Sequence, residues 1–107
     1  MSARLRFEGE TIPYTNPTGS TIEYLDVVDL GTRIGIAACQ IKAGESGTLD
    51  VANCYELPAS TTEAFDMSQE VFWDGTKLVG TAGDLTRAGW IVEPKAQATA
   101  VATVKIL

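Results

Sequence analysis

The sequence predicts an all-β fold: a small, mainly antiparallel barrel or sandwich with at most one or two short helices. Three observations carry that expectation. Turn signals recur every few residues, supplied by ten glycines and four prolines in 107 residues, which leaves little room for long helices. The stretches between the turns are short and rich in β-branched and aromatic residues. The clearest of them alternate apolar and polar side chains at period two, as half-buried strands do. At this length the chain reads as one β domain, residues 1–107, with residues 1–7 a candidate N-terminal arm.

Taken from the N-terminus, the β-prone segments are LRFE, TIPY, STIEYL, VVDL, RIGIAACQI, TLDVANCYEL, EVFW, KLVGT, GWIVE and ATAVATVKIL. The turns between them fall at Gly9, Asn16-Pro17-Thr18-Gly19, Leu30-Gly31, Ala43 to Gly47, Leu57-Pro58, Asp74-Gly75, Ala82-Gly83-Asp84, Ala88-Gly89 and Glu93-Pro94. Asn-Pro-Thr-Gly suits a type I turn, with proline fixing φ and glycine at the fourth position. The best helical window, ASTTEAFDMSQE, is brief, with Ser60 or Thr61 as its cap. In the last segment Ala100, Ala102, Val104 and Ile106 share one side and Val101, Thr103 and Lys105 the other, so a strand is expected in spite of the alanines. No sequence repeat, low-complexity tract or linker is visible.

Asp74-Gly75 is the strongest hairpin signal in the chain. As the centre of a type I′ turn it would pair Trp73 with Thr76, Phe72 with Lys77 and Val71 with Leu78. Val71, Trp73, Thr76 and Leu78 would then form an apolar face, with Glu70, Phe72, Lys77 and Val79 opposite. Asp74 and Gly75 therefore read as a structural turn, although the string DGTK has the look of a phosphate or metal loop.

Composition narrows the chemistry. Net charge is −6, and no Lys or Arg lies between Lys42 and Lys77, where Glu45, Asp50, Glu56, Glu63, Asp66, Glu70 and Asp74 fall. Such a surface repels nucleic acid, whose binders cluster cations against phosphates. With no histidine, a Ser-His-Asp or Cys-His arrangement cannot be built. Cys39 and Cys54 cannot close a zinc site by themselves, and their apolar neighbours predict small buried thiols. Neither a Gly-Lys-Ser/Thr phosphate loop nor a GxGxxG turn is present. The apolar runs are too short to span a bilayer, and the charged N-terminus does not read as a secretory signal. No catalytic residue, metal or cofactor is expected.

The order TNPTG, LG-x-x-IGIA, I-x-AGE-x-G-x-L, YELP, F-W-D and AGW, from about Arg6 to Leu107, resembles a family of small tailed-phage proteins. Many carry the label RecA/RadA-family phage recombinase, but their better-supported role is capsid cement or decoration. The resemblance implies a structural virion protein that binds the outside of an icosahedral head and strengthens contacts between capsomers. Its partners would be the major capsid protein and itself, as a trimer or alternatively a dimer, with no nucleic acid or membrane. It would be made in the host bacterial cytoplasm and end on the virion. The alternative, a DNA-recombination accessory protein, conflicts with the missing nucleotide loop. Arg4, Leu5, Arg6 and Phe7 are the capsid-contact candidates, two cations and two apolar anchors ahead of the first turn. The same segment reads equally as an ordinary first strand with Leu5 and Phe7 in the core and the arginines solvated. The family usually carries a glycine before VVDLG and another before FWD. Here those positions lie near Leu25 and Gln69, and Asn53-Cys54 replaces a glycine-containing pair. These departures affect turns.

Overall fold

The computed structural model describes residues 2–4 and 9–106. These form nine strands and no helix: β1 (Thr11–Thr15), β2 (Val27–Asp29), β3 (Ile34–Ala37), β4 (Ser46–Asp50), β5 (Cys54–Pro58), β6 (Glu70–Trp73), β7 (Leu78–Val79), β8 (Thr86–Ile91) and β9 (Val101–Lys105). They pair antiparallel in two sheets, ordered β1-β4-β3-β2 and β5-β9-β8-β6-β7. The all-β expectation is met, and the period-two reading of the C-terminus holds from β9 onward: Ala102, Val104 and Ile106 are buried, while Ala100, ahead of the strand, is exposed.

The two sheets are the same unit built twice. The order of β1 to β4 in the first sheet is that of β5, β6, β8 and β9 in the second. Ile22 and Ile41 exchange both backbone hydrogen bonds, at 2.8 Å each, as Phe65 and Lys95 do at 3.1 and 2.9 Å. In the turn after Ile22, the Leu25 N–H donates to Ala37 and the Ala37 N–H donates to Asp26. After Phe65, the Ser68 N–H donates to Ile91 and the Ile91 N–H donates to Gln69. The Glu23 N–H is capped by the Asp26 carboxylate at 2.9 Å, and the Asp66 N–H by the Gln69 side-chain oxygen at 3.0 Å. Even φ agrees, at 71° for both Leu25 and Ser68.

The cores correspond as well. Ile22, Val28, Ala37, Ile41 and Leu49 form one cluster. Their counterparts Phe65, Val71, Ile91 and Val104 belong to a larger one, with Lys95 in the place of Ile41. That larger cluster also takes Ile34 and Ile36 from β3, which packs against β8, its own counterpart. The buried Thr86 hydroxyl donates to Asp29 across the same junction, at 2.7 Å. The repeat is invisible in the sequence because matched positions keep apolar character and turn geometry while changing identity. The second unit also carries extra residues, with β7 among them, between the Gly75 turn and β8.

Several sequence expectations need correction. STIEYL is not a strand: Ile22 makes an isolated bridge, and Tyr24 and Leu25 form a turn. TLDVANCYEL breaks at Asn53, which has positive φ, into the end of β4 and β5. Leu57-Pro58 and Ala88-Gly89 lie within β5 and β8. Ser60 caps no helix; its hydroxyl accepts from the Thr62 N–H in a local turn. Cys39 and Cys54 are free and exposed, not buried. Cys54 opens an edge strand and points away from the face that buries Leu57, and Cys39 sits in the connection after β3.

The DGTK hairpin connects β6 and β7, but Trp73 pairs with Leu78 and Phe72 with Val79. Only Gly75, at φ 104°, is left-handed, so the turn is not type I′, which needs positive φ twice. Asp74 is a corner of the loop because its Oδ1 accepts from the backbone of Thr76 and Lys77, both at 2.8 Å. The register is thus displaced by an even number of residues, which preserves facing. Val71, Trp73 and Leu78 are buried together as expected, while Thr76 is exposed in the loop.

Candidate functional site

Of the predicted contact residues, Arg4 is described and exposed, whereas Leu5, Arg6 and Phe7 lie outside the described residues. Asp74 and Gly75 sit in the β6–β7 loop, where the carboxylate is held well below the usual aspartate range. The first cause is its bond to the Lys77 ammonium at 2.8 Å, followed by the Thr76 and Lys77 N–H groups. Every one of these partners is within the loop, so the DGTK string closes on itself rather than opening around a ligand. Among the described residues, no group of three His, Cys, Asp or Glu is placed to hold a metal ion.

The features left for recognition lie on the turns and edges. The turn after Ile22 and its repeat after Phe65 both lift large apolar side chains off the surface: Tyr24 and Leu25 are 63% and 52% exposed at the first, and Met67 is 63% exposed at the second. Acidic residues flank both tips, Glu23 and Asp26 at the first and Asp66 at the second. Sequence reading missed these tips because it took STIEYL for a strand. The signal that marked them was the departure from glycine near Leu25 and Gln69.

Beside the first tip lies a cleft of about 220 Å³ bordered by Tyr24, Leu25, Asp50, Asn53 and Tyr55. Asp50 is buried, and its carboxylate accepts from the Tyr55 hydroxyl, from Asn53 Nδ2 at 3.0 Å and from the Ala52 N–H at 3.3 Å. Burial first, then the bond to Asp50, pushes the Tyr55 hydroxyl up to about 12. It stays protonated as a donor, and the pair clamps the β4–β5 corner. A fully engaged carboxylate of this kind supports structure rather than proton transfer.

The second opening is a groove of about 260 Å³ along β2, lined by Tyr14, Thr18, Ile22 and residues 26–29. β2 is the edge of its sheet. Asp26 and Leu30 bond inward to β3, through Ala37 and Arg33. By alternation, the backbone groups of Val27 and Asp29 face outward. The groove therefore combines apolar walls, two carboxylates and an open backbone edge.

The edges opposite are guarded. β1 and β5 end their sheets. Glu10 and Asn16 bond inward to β4, and Asn53 and Ala59 inward to β9 and Ala100. This alternation turns Pro13 and Pro58 outward, where their missing N–H groups blunt strand pairing.

Compared with known proteins, residues 7–106 match the family model described as phage cement protein. No curated protein and no solved structure was found to match the chain.

Proposed function

The chain belongs to the phage cement protein family, with a structural, capsid-associated role, and on that premise we propose that it binds the outer surface of an icosahedral head and stabilises capsomer contacts. The observation that carries this reading is the span of the family match, residues 7–106, nearly the whole chain. The partner is the major capsid protein, and the finished location is the virion after synthesis in the host cytoplasm. Binding the assembled shell in preference to its free subunits shifts assembly by mass action. Each copy can bind weakly, because many copies engage one lattice.

The acidic surface supports a protein partner over nucleic acid: charge −6 across the chain repels phosphates and favours a basic rim. Self-association as a trimer suits local threefold positions, and a dimer the twofolds. Arg4, Leu5, Arg6 and Phe7 act as an arm that reaches the shell. Deleting residues 2–6 leaves a folded protein that no longer decorates heads; a truncated protein that unfolds makes the segment a core strand, and one that still decorates places the contact elsewhere.

The test of the function is mass spectrometry of purified virions, with copy number compared to the major capsid protein. Hundreds of copies per particle are expected, of the order of a repeated lattice position. Absence from the particle contradicts the proposal.

A further inference from the structure

The second unit shows what fills the groove that the first leaves open. Leu78 is fully buried, pairs antiparallel with Trp73 of β6, bridges to Ala59 on its other side, and accepts a backbone bond from Ser60 at 2.9 Å. Two residues on, Gly80 takes the Glu63 carboxylate on its N–H at 3.2 Å and lies beside Phe65 and Gln69. The segment Leu78–Gly80 thus runs between β6 and the chain from Ala59 to Phe65. In the first unit the matching walls are β2 and the chain from Tyr14 to Ile22, and between them is the open 260 Å³ groove. One unit carries its own extra strand, and the other lacks it.

We propose that the β2 groove is the docking site for an extended segment of the capsid protein, which adds to the sheet as β7 does in the second unit. The occupant runs antiparallel to β2, bonds the outward backbone groups of Val27 and Asp29, and sends one branched aliphatic side chain between Tyr14, Ile22 and β2. Main-chain pairing gives such a site affinity and the side-chain pocket gives it selectivity. Asp26 and Asp29 line the groove and no cation does, so a Lys or Arg beside the aliphatic residue is favoured. The internal strand has that pattern, Lys77-Leu78-Val79. Pro13 and Pro58 close the β1 and β5 edges to the same mode of binding, and Ala59 and Ser60 already bond the β7 edge at Leu78, which leaves β2 as the receptive edge among the described residues. The identity of the partner rests on the capsid-binding reading; the strand-accepting geometry does not.

Two measurements test the proposal separately. First, isotope-labelled protein is titrated with the capped peptide Thr-Lys-Leu-Val-Gly-Thr, the sequence of residues 76–81, and its backbone resonances are followed. Saturable shifts at Ile22, Val27 and Asp29 are expected, and none with the Leu78→Asp version of the peptide. No response at millimolar peptide, or a response confined to other residues, overturns the strand-accepting groove whatever the protein does on heads.

Second, undecorated heads are mixed with wild type, Val27→Pro and Thr18→Trp. Proline removes an outward N–H and spares the β3 pairing, while the exposed Thr18 position puts an indole across the groove. Both variants, folded by circular dichroism, should bind heads about tenfold more weakly, the scale of one or two lost main-chain bonds. Wild-type binding by either folded variant overturns the capsid occupant. So does a change only in the protein's own oligomeric state, which would make the occupant a second copy. If wild type itself fails to bind heads, the proposed function and the capsid occupant both fall, and the peptide titration alone decides the groove.

Discussion

Lys95 and Asn16 perform one task from two positions. In the first unit Asn16 is buried and its Nδ2 donates to the carbonyls of Ser20 at 2.7 Å and Ile41 at 3.0 Å. In the second unit the counterpart of Asn16 is Ala59, whose side chain has no donor, and the counterpart of Ile41 is Lys95. The Lys95 ammonium caps the Glu63 carbonyl, which matches Ser20, and donates to Ala96 at 2.8 Å and Gln97 at 3.0 Å. Three donors meet three carbonyls, so this buried cation needs no carboxylate, and the Phe65 ring lies 5.1 Å below it. Lys95→Met keeps the stem and strips all three bonds; a loss of about 3 kcal/mol is expected from denaturant unfolding. A loss near zero would show that the carbonyls find water instead.

Asp74 allows a second test at this scale. Its folded-state value lies below the ordinary 3.8, so its contribution is present above that value and disappears as pH falls beneath it. Wild type should exceed Asp74→Asn in Tm at neutral pH, with the gap closing below about pH 4. A gap that stays constant into acid contradicts the Lys77 bond as its source. None of these roles was legible in the sequence except the turn itself. A lysine between Pro94 and Ala96 gives no sign that it is buried, since its ammonium is held by the carbonyls of a turn it makes with Ala96 and Gln97 and by that of Glu63, from a loop folded against it.

At the scale of elements, the strands were legible and their joints were not. Alternation in the ATAVATVKIL and VFW segments announced their buried faces because facing depends only on parity, which survived the displaced hairpin register. Tight turns depend instead on backbone conformations that identity encodes weakly. Leu25 and Ser68 occupy a left-handed conformation that costs a residue with a Cβ on the order of 1 kcal/mol. They stand at or beside the two positions where the family's glycines were missed. Leu25→Gly and Ser68→Gly should each raise stability by up to about 1 kcal/mol, offset in part by the flexibility glycine adds to the unfolded chain. Thermal unfolding that shows a fall for both would contradict the assignment.

Gly89 is the opposite case. A Cβ there would stand 1.9 Å from the Lys105 carbonyl oxygen, at φ 150° beside the irregular pairing of Val71 and Phe72. Gly89→Ala should cost about 3 kcal/mol or more, as backbone must move. The unit correspondence makes its own prediction: Asn16→Ala should be destabilising, and adding Ile41→Lys should recover part of the loss through coupling. Simple additivity in unfolding free energies would refute the exchange.

For the whole molecule, the duplication gives one chain two versions of the same surface. Both versions raise an apolar tip, and they differ at the edge where β7 has been added. The sequence hid this because the matched residues share character rather than identity, and the inserted strand breaks the register between the halves. What it did carry was the order of its turn motifs, and that order was enough to place the family. A cement role asks the assembled shell to hold the protein better than free capsid subunits do. The most direct measurement is therefore the temperature at which undecorated heads open, recorded as the protein is added back. The opening temperature should rise with occupancy and level off when the lattice positions are filled. An opening temperature unchanged by bound protein, or equal binding to free capsid subunits, would contradict the cement role.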